Sequence, residues 1–96
     1  MRFDYDHLES FIERQRRGEI QRPHLFLESV SIVLNNEKHY LNIGDTITVK
    51  KVGKQIVKGI FLGGTIDRQM ERIYVKNLFR EEIGINVEYI LEIEVE

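Results

Sequence analysis

Cysteine is missing from the chain, and with it go disulfides, thiolate metal ligands and a cysteine nucleophile. A single proline and little serine leave no stretch with the composition of a disordered linker. No apolar run is long enough to cross a bilayer, so no membrane partner is expected. The opening residues MRFDYDHLES are acidic and aromatic, whereas a secretory signal is basic and then apolar, and a cytoplasmic location is the default reading. The three histidines, His7, His24 and His39, do not stand at metal-ligand spacing from one another; they read as surface residues, and no metal site is expected. Gly63-Gly64-Thr65 lacks the lysine and the helix start of a phosphate-binding loop and reads as a hairpin corner. Glu81 and Glu82 are adjacent and therefore point apart, which suits solvated charge better than acid-base work. Without a catalytic constellation or a cofactor motif, the chain is not expected to be an enzyme.

What is present is a balanced, strand-forming sequence. Its 96 residues are 42% hydrophobic and 31% charged with a formal charge of −2, enough for one domain over 1–96 with a modest core but no deep cleft. The organising stretch is Gly44 to Ile66, GDTITVKKVGKQIVKGIFLGGTI. Ile47 and Val49 alternate with Thr46, Thr48 and Lys50, which predicts a half-buried strand over 45–51. Gly53 supplies positive φ for a turn, and the β-branched run from Gln55 to Leu62 returns antiparallel until Gly63 and Gly64 stop it. Gly59, inside that run, marks a bend.

The flanks follow the same logic. Residues 1–18 are predicted to form an N-terminal helix: Asp4 caps it, Phe3 and Leu8 form a hydrophobic staple, and Leu8, Phe11 and Ile12 make one apolar stripe before Gly18. Leu25 to Leu34 and His39 to Ile43 make a second hairpin turned at Asn35, Asn36 and Glu37. A strand is expected over 71–76, with Ile73 and Val75 on one face and Arg72, Tyr74 and Lys76 on the other. NLFREE, residues 77–82, suits one turn, of 3₁₀ type at its tightest. Ile85 to Val95 alternates throughout and predicts one long final strand. The expected core is Ile47, Val49, Val57, Phe61, Ile73, Val75, Val87, Tyr89 and Leu91. Together these elements predict a mainly β fold: a small bent antiparallel barrel of five or six strands over 24–96, capped by the N-terminal helix. A helix lying across an open sheet is the rival architecture.

Gly59-Ile60-Phe61-Leu62 followed by Asp67, Met70 and Glu71 resembles the first signature of Sm-like RNA-binding proteins. That family carries a base-contacting asparagine where Glu71 stands, its spacing is shorter by two residues, and its arginine-glycine pair has no counterpart in residues 81–90. A looser similarity, over Leu25 to Val95, is to SH3-like barrels, where one 3₁₀ turn precedes the final strand. It is architectural and implies no site residues.

Charge is the remaining signal. Residues 44–80 are net +5 and residues 81–96 are net −6. One reading makes Lys50, Lys54, Lys58, Arg68 and Arg72 a phosphate-binding face for RNA or DNA, with Tyr74 stacking on a base. The other pairs the acidic last strand with a basic neighbour, which accounts for both blocks at once. Two function classes follow. The leading one is a protein-interaction or self-association module; the alternative is a nucleic-acid-binding small barrel.

Overall fold

The computed structural model describes residues 2–4, 24–67 and 70–96. Eight strands build it: β1 (His24–Leu27), β2 (Ser29–Leu34), β3 (Glu37–Asn42), β4 (Thr46–Lys51), β5 (Gln55–Asp67), β6 (Met70–Lys76), β7 (Glu82–Asn86) and β8 (Ile90–Val95). One 3₁₀ turn, Val87–Tyr89, joins the last two.

β4 and β5 form the expected central hairpin. Lys51 faces Gln55 across a loop in which Gly53 and Lys54 both have positive φ. β5 does not stop at Gly63 and Gly64 but runs for 13 residues. Its first half pairs with β4 and its second half with β1 along the same edge, while β6 lines the opposite edge from Ile60 to Asp67. The register slips between Phe61 and Gly63, a bulge that bends the strand. Two glycines make this bend possible. A Cβ on Gly59 would run into the Lys76 carbonyl, and Gly63 holds φ +127 where a Cβ would lie 2.6 Å from the Phe26 ring. The glycines read as strand terminators are thus points of close approach inside a strand.

The strand order β7-β6-β5-β4-β8 corrects the predicted barrel. β7 and β8 end the sheet and do not pair with each other, so the sheet is open. The three residues of the 3₁₀ turn nevertheless connect these two ends, a span of roughly 6 Å at about 2 Å per residue, so the sheet is strongly bent. The predicted capping helix over 1–18 lies outside the described residues from Tyr5 onward. Arg2–Asp4 are extended: Phe3 bridges Ile32, the Val33 amide donates to the Arg2 carbonyl at 2.8 Å and the Asp4 amide to the Ser31 carbonyl at 2.7 Å. Phe3, expected as a helix staple, is instead buried in the core.

β2 and β3 form a separate two-stranded sheet, turned at Asn35 and Asn36, both at the positive φ that a two-residue hairpin demands. Val30, Ile32, Leu34 and Leu41 from this sheet and Ile47, Val49, Phe61, Ile73, Val75 and Ile85 from the larger one join in a single hydrophobic cluster. Of the expected core, Val57 is only partly buried, and Tyr89 and Leu91 are 50% and 51% exposed. Two shifts are the cause. The 3₁₀ turn puts Ile90 under Val87, off the alternation, and an irregularity in β8, where Lys51 pairs with Ile90 but Lys50 with Glu92, returns Ile93 to the inward phase opposite Val49, so Tyr89 and Leu91 fall outside the core.

Candidate functional site

The outer face of the large sheet carries most of the basic residues singled out by the sequence. Lys50 lies on β4, Lys58 on β5, and Arg72 and Tyr74 on β6; all but Tyr74 are exposed, and Tyr74 is half-buried. Lys54 sits in the β4–β5 turn and is exposed. Arg68 lies outside the described residues. Cross-strand register places Lys50 opposite Ile56, Lys58 opposite Thr48 and Ile60 opposite Lys76, so these side chains share one face.

That face is not free of acid. β8 lies beside β4, with Glu92 opposite Lys50 and Glu94 opposite Thr48. The Lys50 ammonium meets the Glu92 carboxylate at 3.1 Å, and Lys58 reaches Glu96 at 3.0 Å. Glu82 stands opposite Lys76 on β7. The acidic C-terminal residues therefore compensate the basic hairpin, as the pairing reading of the sequence has it, through Glu92 on β8 and Glu96 just beyond it. Such exposed pairs are weak individually, typically below about 1 kcal/mol, but they lower the net field that phosphates would meet. Among the described residues, no carboxylate forms an ion pair with Lys54 or Arg72.

Sequence reasoning missed two features. Glu71 is 6% exposed, on the inward phase of β6 with Ile73 and Val75. Its carboxylate accepts the backbone N–H groups of Arg2 and, at 3.0 Å, of Phe3. The Arg2 guanidinium in turn donates to the carbonyls of Val87, at 3.2 Å, and Ile90, which flank the 3₁₀ turn. The N-terminal strap, the inner face of β6 and the β7–β8 junction are thereby tied together. Glu71 is the position the Sm-like resemblance would give to base contact, and here it faces the core. The signal was present in the sequence: an acid two residues before Ile73 falls on the apolar phase of its strand.

The second feature is the β6–β7 loop. Leu78 is 90% and Phe79 82% exposed. The loop beneath them is fixed by Asn77, whose side-chain oxygen accepts from the amides of Phe79 at 2.9 Å and Glu81 at 3.0 Å, while the Asn77 amide donates to the Glu81 carbonyl at 3.0 Å. Arg80 completes the turn at φ +62. NLFREE thus forms a turn, as expected, but the 3₁₀ geometry occurs later, at Val87–Tyr89. Two large apolar side chains are held on an ordered tip with little left to lose in backbone entropy when they dock.

The described residues contain no cluster of histidine and acid groups able to hold a metal, and no helix among them is long and apolar enough to cross a membrane. No family model matches the chain, and neither the curated proteins nor the solved structures include a match.

Proposed function

We propose that this chain is a small protein-interaction or self-association module without catalytic activity, acting in the cytoplasm. The observation that carries the reading is the β6–β7 tip, where Leu78 and Phe79 are presented to solvent on a turn locked by Asn77. Exposed aromatic and aliphatic groups on a preorganised element are what protein interfaces use as anchors. The ion pairs of Lys50 with Glu92 and Lys58 with Glu96 argue against the rival, a phosphate-binding face. An architectural likeness to SH3-like modules belongs to the same proposal, supported by the long central strand shared among its neighbours and the 3₁₀ turn ahead of the final strand.

The test sets the two ligand classes side by side. Single-stranded RNA and duplex DNA are titrated at low ionic strength into the wild-type chain and into the Lys50→Glu, Lys54→Glu, Lys58→Glu triple variant. The expected result is no binding that depends on these lysines. Binding that falls steeply with salt and disappears in a folded triple variant overturns the proposal in favour of nucleic acid.

A further inference from the structure

The large sheet ends in two strands whose outer edges face no other described strand, and their sequences treat those edges differently. β8 carries Glu92 and Glu94, with Glu96 just beyond it. Antiparallel pairing of β8 with a copy of itself about Ile93 sets Glu92 against Glu94, and the neighbouring registers that keep the outer face continuous also oppose glutamates, which is destabilising. β7, EIGIN, has one charge, no lysine and no proline, and it pairs with β6 without a bulge. It lacks the devices that usually keep an edge strand from pairing.

We propose that β7 is a dimer edge: a second copy of this chain adds its own β7 antiparallel across a two-fold axis at Gly84, joining the two large sheets. The inference rests on the self-association form of the function proposed above. About this axis Gly84 faces Gly84 of the partner copy, Ile83 faces Ile85, and Glu82 faces Asn86, so no like charges are opposed. The centre of the seam is also suited to close approach. Gly84 has no side chain because the Tyr74 ring occupies that space, with a built Cβ only 3.1 Å from the ring. The axis brings the two Tyr74 rings to either side of the paired glycines, where they cover the backbone from the outer face.

The experiment is sedimentation velocity of the full chain over a wide concentration range, with hydrogen exchange of the backbone amides at both ends of that range. The expected wild-type result is a reversible monomer–dimer equilibrium and no larger species. The backbone amides of β7 are expected to exchange about tenfold or more slower in the dimer than in the monomer, and those of β8 at an unchanged rate. A wild-type monomer at every concentration overturns the inference while leaving the module free to bind a different protein. A ring or open polymer, or a dimer in which the β7 amides exchange as they do in the monomer, places the interface elsewhere and overturns it as well. RNA or DNA binding in the assay described above is a separate outcome and bears on the function alone.

Discussion

Glu71 on β6 accepts the Phe3 amide at 3.0 Å from inside the core, 68 residues away in sequence. A carboxylate buried on an apolar strand phase is costly unless its lone pairs are filled, and here the filling comes from backbone N–H groups of an extended N-terminal strap. Removing the acceptor leaves those amides buried without it. Glu71→Ala is expected to lower stability by about 2 to 4 kcal/mol in a denaturant titration, and Glu71→Gln, which keeps one acceptor oxygen, by less. A loss under about 1 kcal/mol for the alanine variant would mean that β2 and the Arg2 guanidinium hold the strap without Glu71.

Phe61 is fully buried where β5 bends, inside the cluster shared by both sheets. Phe61→Ala is expected to cost roughly 3 to 5 kcal/mol, the range for deleting a large aromatic core group. A cost below about 1 kcal/mol would contradict the placement of the core.

Ile90 and Tyr89 are neighbours with opposite fates. Ile90 is 1% exposed and Tyr89 50%. Ile90→Ala is expected to destabilise by about 2 to 5 kcal/mol and Tyr89→Ala by less than about 1 kcal/mol, measured on the monomer. The reverse order would restore the uninterrupted final strand.

Gly59→Ala adds a Cβ where the Lys76 carbonyl stands. Since neither is the loose end of a side chain, β5 and β6 must separate locally, and a loss of about 1 to 3 kcal/mol is expected, as for overpacking of a tight interior. An unchanged midpoint would show that the two strands can shift at no cost.

Much of this architecture was legible in local pattern. Alternation at Ile47 and Val49, the turn at Gly53 and the asparagine pair at 35 and 36 each report on a few neighbouring residues, and β4 and both turns lie within a residue or two of their expected places, whereas the strand expected over Leu25 to Leu34 divides at Glu28 into β1 and β2 of different sheets and β5 runs on past Leu62. What failed depends on distance. Val87, Tyr89 and Leu91 alternate as well as any strand does, yet the change of direction between β7 and β8 is set by packing of Val87 and Ile90 against partners far away in sequence. Gly63 and Gly64 look like a terminus because the Phe26 ring and Val30, which fill the space beside them, come from other strands. Closure of the sheet could not be read at all, since it turns on whether β7 and β8 share hydrogen bonds. The charge blocks were legible as a choice between two readings, and the register of β8 beside β4 is what brings Glu92 to Lys50. Leu78 and Phe79 passed unnoticed because exposure is a property of the folded chain.

The most direct measurement is a ligand-free thermal melt of the Lys50→Glu, Lys54→Glu, Lys58→Glu variant, because the two readings of the basic block give opposite results in it. If Lys50 and Lys58 serve chiefly as partners of the acidic last strand, the substitutions set like charges beside Glu92, Glu94 and Glu96, and stability falls by about 1 kcal/mol or more, some 4 to 8 °C per kcal/mol for a domain of this size. A melt unchanged from wild type, in a variant that has lost binding to RNA or DNA, would contradict the account and make the outer face a nucleic-acid surface.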